Sequence, residues 1–151
     1  MNNFSKLSRV MERMIWVLMA VDAVLMVALP WLVSTITIQT PGEKMYRDYL
    51  IIMYTSGVFA ELVLWQCRGI MHNVNSGKAF SRSTVHRLEI IGALALALAV
   101  IYLLFVLCLG VFKFFMALLL IVFAFIGLIL FIFAQLFREA TVYKEENDMT
   151  I

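Results

Sequence analysis

Two acidic side chains lie inside long apolar stretches of the chain, where a charged group is costly to bury. Asp22 is the only charged residue in the stretch 14–33, and Glu61 is the only one in the stretch 50–67. A buried carboxylate without a partner loses much of its solvation free energy, so we expect at least one of the two acids to be protonated near neutral pH. Acids inside a membrane are candidate functional groups by default.

The two acids are expected at the same depth in the membrane. Asp22 lies nine residues past Arg13, about 13 Å along a helix, and Glu61 lies seven residues before Arg68, about 10 Å along a helix. The acids could therefore face each other, with Tyr54 and Tyr102 as hydrogen-bond partners. Proton coupling, cation binding and pH sensing are the functional interpretations. The alternative is a hydrogen bond between helices that only fixes their packing.

The composition of the chain indicates a membrane protein. Hydrophobic residues make up 64% of the 151 residues, charged residues make up 15%, and the mean hydropathy is +0.96. Soluble domains are near half apolar and a quarter charged. A net charge of +2 gives no reason to expect direct nucleic-acid binding.

The apolar stretches predict four membrane-spanning helices. A span needs about 20 apolar residues, and the 45 residues of the stretch 90–134 contain one charge, Lys113. As one helix this stretch would be about 68 Å long, so it must fold back near Gly110–Lys113. We therefore predict an all-α, four-transmembrane-helix bundle that forms one membrane domain over residues 1–151. The predicted spans are 14–35, 48–68, 88–109 and 114–136.

The distribution of Lys and Arg predicts the orientation. Nine of these residues lie in the N-terminus, the second loop and the C-terminus, and three lie on the other side: Lys44, Arg47 and Lys113. Positive charge favours the cytoplasmic side, so both termini are expected in the cytoplasm. Trp16 and Trp65 are expected at the inner membrane interface.

Small residues recur at helical spacing in the last two spans. The pairs are Ala93 and Ala97, Ala95 and Ala99, Ala117 and Ala124, and Gly127 and Ala134. Small residues let membrane helices approach closely. They favour either packing inside one bundle or the interface of a homo-oligomer.

The cytosolic loop 69–87 carries local folding signals. Ser76-Gly77 marks a turn. Ser81 is placed to cap a helix that starts at Arg82, and Phe80 is placed to pack back as a hydrophobic staple.

The C-terminal tail, residues 138–151, carries a net charge of two negative. An acidic segment is repelled by an anionic membrane surface, so we expect it to project into the cytosol. Its Asn-Asp-Met-Thr-Ile ending disfavours a continued helix. A short peptide with apolar tip residues and a free carboxylate is a plausible ligand for a protein groove.

Two motifs resemble those of a bacterial four-span membrane family of unknown function, domain-of-unknown-function family 2975. The first is a Gly-x-x-Phe-Ser/Thr segment before the third span, and the second is a Glu-Asn-Asp-Leu-Thr-Ile ending, in which Met149 replaces the usual Leu. The matching positions are Gly77, Phe80, Ser81, Arg87, Leu88, Gly92, Glu146, Asn147, Asp148, Thr150 and Ile151.

The resemblance implies a location and a partner. It implies a multi-pass protein of the bacterial inner membrane. Genes of such proteins often sit beside one for a Cro/CI-like helix-turn-helix regulator, which implies that the membrane protein holds or controls that regulator. The partner-binding residues would then be Phe80, Arg87, Glu146, Asn147, Asp148, Met149, Thr150 and Ile151.

The sequence therefore favours a non-enzymatic membrane regulatory or sensor protein. Its cytosolic loop and tail would bind a small DNA-binding regulator. One alternative is a small proton- or ion-coupled transporter that uses Asp22 and Glu61, and another is an immunity or accessory membrane protein. The motifs of enzymes and phosphate-binding loops are missing, and we expect no catalytic residue, no cofactor and no metal.

Overall fold

The computed structural model describes residues 3–37, 43–109 and 113–149, and these form four long α-helices. The helices are α1 (Asn3–Thr37), α2 (Glu43–Asn75), α3 (Arg82–Cys108) and α4 (Lys113–Met149). The predicted all-α, four-helix fold is confirmed. Each helix is long and apolar enough to cross a membrane, which indicates a multi-pass membrane protein. The helices contain the predicted spans except for Leu109, which caps α3.

Helices that follow each other in sequence pack side by side. α1 packs on α2, α2 on α3, and α3 on α4, and the described backbones of α1 and α4 do not approach each other. The buried core joins Ile52 of α2, Leu98 and Tyr102 of α3, and Met116 of α4. α1 therefore lies at the edge of a core that α2, α3 and α4 form.

α1 contacts α2 through one narrow stripe. The buried residues Ser8, Ile15, Met19 and Val33 and the half-buried residues Glu12, Asp22 and Met26 follow spacings of three, four and seven residues. Such a spacing is typical of the seam between two coiled helices. Most of the remaining surface of α1 faces outward, as expected for a helix in contact with lipid.

Small residues bring α3 and α4 together. A Cβ added at Gly127 would lie 3.1 Å from the Gly92 carbonyl oxygen and 2.7 Å from Leu96 Cγ. Ala95 and Ala134 are buried as well, with 7% and 1% of their surface exposed. These buried small residues therefore pack inside the bundle, whereas Ala93 and Ala97 of the same pattern are exposed.

The loop between α2 and α3 forms as its residues predict. Gly77 has a φ of 70°, a conformation that glycine adopts without steric cost. The Thr84 amide donates to Ser81 Oγ at 3.3 Å, and α3 begins at Arg82, so the predicted helix cap is confirmed. The described contact of Phe80 is with Phe137 of α4, whose ring centroid lies 5.4 Å away.

The C-terminal tail departs from the prediction. α4 continues through Met149, so the expectation that the tail leaves the helix is wrong as far as that residue. The tail gains partners on α3 that outweigh the weak helix propensity of Asn147 and Asp148. The predicted fold-back near Gly110–Lys113 lies outside the described residues except for Lys113, where α4 begins.

Candidate functional site

Asp22 and Glu61 lie in the stripe where α1 meets α2. Met26 of α1 occupies the space above Gly57 of α2, because a Cβ added at Gly57 would overlap the Met26 sulfur. Asp22 lies four residues before Met26, and Glu61 lies four residues after Gly57. Residues four apart share a helix face and the helices run in opposite directions, so the two acids lie at the same level on facing stripes.

A second contact gives the same register. Ser8 Oγ donates a 2.5 Å hydrogen bond to Asn75 Oδ1 at the end of the stripe. Ser8 precedes Asp22 by as many residues as Asn75 follows Glu61. The alignment of the two acids therefore does not depend on one contact.

Each acid has one oxygen atom that the protein buries without a partner. Asp22 Oδ2 and Glu61 Oε2 accept no hydrogen bond from the described residues. A buried acceptor left unpaired destabilises the fold, and two carboxylates at one level repel each other when both are ionised. Protonation of one acid, or a bound cation, would relieve this repulsion.

Neither Tyr54 nor Tyr102 forms a hydrogen bond with Asp22 or Glu61 in the described structure. The Tyr102 hydroxyl pairs with Ser56 Oγ at 2.8 Å, and Ser56 donates in turn to the Ile52 carbonyl at 2.7 Å. The prediction that Tyr102 bonds an acid is therefore wrong, because Tyr102 faces α2 at a different level. The Tyr54 hydroxyl makes no hydrogen bond within the described part of the chain.

A second candidate site is the basic end, which we define as the start of α1, the end of α2, loop 76–81, the start of α3 and the end of α4. Arg82 donates two hydrogen bonds to Glu145, at 3.1 and 2.8 Å. Arg138 pairs with Glu89. These contacts hold the last turns of α4 against the first turns of α3.

A groove of about 320 Å³ lies between α3 and α4 at the basic end. Four of its seven lining residues are titratable: Arg82, His86, Glu89 and Arg138. The hydrogen bonds from Arg82 lower the pKa of the Glu145 carboxyl, and those to Glu145 raise the pKa of the Arg82 guanidinium. Exposed ion pairs of this kind stabilise only weakly, so the groove could rearrange around a partner.

Some of the predicted partner-binding residues make contacts within the chain. Arg87 donates from Nη1 to Gln66 Oε1 at 3.1 Å and packs over Gly69 of α2. Phe80 stacks on Phe137 yet keeps 47% of its surface exposed. Phe80 is thus accessible to a partner, whereas Arg87 also joins α2 to α3.

The tail residues are described in part. Glu146, Asn147 and Met149 lie on the last turns of α4, and Met149 is 81% exposed. The Asp148 side chain, Thr150 and Ile151 lie outside what the structure describes. The contact shown next to these residues is the pair of Glu145 with Arg82, which places the residue before Glu146 beside the first turn of α3.

The polar contacts that join α1, α2 and α3 at the basic end were not foreseen. Asn73 Nδ2 donates to Thr84 Oγ1 at 3.1 Å. Asn75 donates to Glu12 Oε2 at 2.5 Å. Asn residues at the end of a helix, next to a turn, are the sequence signal that could have suggested such bonds.

The comparisons with known proteins give one match. A family model described as "Protein of unknown function (DUF2975)" matches residues 6–151. No curated protein matches the chain, and no solved structure matches it. The family match covers all four helices.

Proposed function

We propose that this chain, which belongs to the family described as Protein of unknown function (DUF2975), is a non-enzymatic regulatory or sensor protein of the bacterial inner membrane. Its basic end would bind a small helix-turn-helix transcription regulator. One observation supports this most. The two motifs that carry the family resemblance are far apart in sequence, yet their neighbourhoods meet through the Phe80–Phe137 stack and the Arg82–Glu145 pair.

The location of the basic end suits a soluble partner. Nine of the twelve Lys and Arg residues favour the cytoplasm for this end. α4 continues from Arg138 to Met149, about 16 Å of helix, past the predicted fourth span. This extension would place the α3–α4 groove in the cytosol.

Exposed apolar side chains on the extension give the partner something to bind. Three side chains of this extension are exposed among polar and charged neighbours. They are Val142, Tyr143 and Met149, with 45%, 72% and 81% of their surface exposed. Aromatic residues and Met are enriched at protein interfaces. The resemblance implies the identity of the partner, and these residues supply the contact surface.

Removing the tail tests this proposal. A chain that ends at Lys144 should recover at least about tenfold less of a co-expressed helix-turn-helix regulator after cross-linking in membranes, since it lacks the exposed Met149 and the motif around it. The control is Lys44→Gln, which removes one exposed positive charge at the opposite end of the bundle and keeps the whole tail, and it should recover as much regulator as the wild type. Equal recovery with the shortened chain would remove the tail from the binding site.

A second candidate function is proton- or ion-coupled transport through the bundle. The observation that favours it is the alignment of Asp22 and Glu61, each with a buried oxygen that lacks a partner. Carboxylates inside membranes often relay protons or bind ions. The transported species would be coupled to protonation of this pair.

Proton flux into proteoliposomes tests the second candidate. With a trapped pH dye and a potassium diffusion potential, the wild-type chain should acidify the lumen faster than empty vesicles. Asp22→Asn and Glu61→Gln should each reduce the rate to background, because neither amide can carry the proton. Glu139→Gln removes an exposed acid of α4 and should leave the rate unchanged. A wild-type rate equal to that of empty vesicles would count against transport.

A further inference from the structure

Arg68 contacts two indole rings, seven residues before α2 ends. Its guanidinium carbon is 4.3 Å from the centre of the Trp16 ring and 5.3 Å from that of the Trp65 ring. Arginine is attracted to aromatic faces at such distances. The two rings therefore hold the guanidinium in place without neutralising its charge.

No described residue compensates this charge. Arg68 forms no ion pair and no hydrogen bond within residues 3–37, 43–109 and 113–149, and its buried Nε has no partner. Glu12 lies one turn before Trp16, but it is engaged with Asn75 and with His72, at 2.5 and 3.8 Å. The Nη atoms of Arg68 are not among the buried unpaired atoms, so they reach the surface.

A row of basic residues on α1 continues from this position. Lys6, Arg9 and Arg13 precede Trp16 at spacings of three and four residues, so they share one helix face. They line an open hollow of about 270 Å³. The row and Arg68 together form a positive strip along the basic end of α1 and α2.

The depth of the strip identifies what it faces. Trp16 and Trp65 expose 49% and 52% of their surface, and exposed tryptophans of membrane helices lie at the level of the lipid headgroups. Basic groups at that level bind anionic headgroups. An arginine matches the oxygen atoms of a phosphate with two parallel hydrogen bonds.

We propose that Arg68, Trp16, Trp65 and Arg13 form a binding site for the headgroup phosphate of an anionic phospholipid, with Lys6 and Arg9 extending it. The Arg68 guanidinium donates to the phosphate, and the indole rings orient it and pack on the first acyl carbons. This site lies on the α1–α2 side of the basic end, apart from the α3–α4 groove. It does not depend on the proposed regulator binding.

Tryptophan quenching in vesicles tests the proposal, because Trp16 and Trp65 report on the site itself. The full chain carries Trp31→Phe to remove the signal from the opposite end. Phosphatidylglycerol with brominated acyl chains should bind at the tryptophans about fivefold more tightly than brominated phosphatidylcholine at the same mole fraction. This ratio corresponds to the attraction between one cationic side chain and an anionic membrane surface.

Charge variants then distinguish a specific lipid site from a general attraction of anionic lipid to the positive charge of this end. Arg68→Gln should bring the preference close to one, and Arg68→Lys should keep part of it. Lys78→Gln removes one positive charge from the loop of the same end and should leave the preference unchanged. Native mass spectrometry of the chain without Trp31→Phe should show one retained phosphatidylglycerol, lost in Arg68→Gln.

Three outcomes would overturn the proposal. Equal quenching by the two lipids would show that the strip does not select an anionic headgroup. A preference that Lys78→Gln reduces as much as Arg68→Gln would show that the strip attracts anions only through its general charge. Displacement of the anionic lipid by millimolar glycerol phosphate would show a site for free phosphate esters rather than for a lipid.

Discussion

Gly127→Leu should separate α3 from α4 and destabilise the bundle by about 3 kcal/mol or more, at the upper end of the range for overpacked cores. The Cβ alone would lie 3.1 Å from the backbone oxygen of Gly92, an atom that cannot turn aside as a side chain can. The remaining leucine atoms would push the helices apart where they are closest. Thermal unfolding in a mild detergent, followed by circular dichroism, measures the loss.

Ala93→Leu is the matched control for this substitution. Ala93 is an exposed residue of α3 beside Gly92, and replacing it adds almost the same number of atoms on the outward side of the helix. Its unfolding temperature should stay near that of the wild type. A Gly127→Leu chain as stable as this control would mean that the two helices do not cross at the glycines.

Local signals made parts of the fold predictable. The Ser81 cap depends on contacts within one turn, and four apolar stretches are enough to count four spans. The helical tail was not predictable in this way, because the partner that holds Glu145 is Arg82, which lies 63 residues earlier in the chain. Helix propensity is a weak guide when such a tertiary contact is present.

Depth along the helices explains what could be predicted about the acids. Counting residues from the basic ends placed Asp22 and Glu61 at similar depths, and the α1–α2 register agrees. The same counting places Tyr102 fifteen residues past Arg87, about 22 Å along α3, well beyond the acids. The face of each helix that meets its neighbour required the structure, since an all-apolar helix shows no polar side to identify it.

Replacing both membrane acids by apolar residues should stabilise the protein. Asp22→Leu combined with Glu61→Met removes two buried oxygens that have no partner in the described structure. We expect a gain of about 1–3 kcal/mol, the cost of leaving a buried polar group without a hydrogen-bond partner. The same detergent unfolding measurement applies. A gain in stability would mean that the acids are kept for a function rather than for packing.

Tyr102→Phe is the comparison that gives this result its meaning. It removes a hydrogen bond that does join two helices, the one to Ser56, and should lower stability by about 0.6 kcal/mol, the average for such bonds in membranes. If the double replacement of the acids also lowers stability, Asp22 and Glu61 hold α1 against α2 as a structural pair, and transport loses its main support. If it raises stability while Tyr102→Phe lowers it, the two carboxylates weaken the contact between α1 and α2, and proton or ion coupling explains their presence better than packing does.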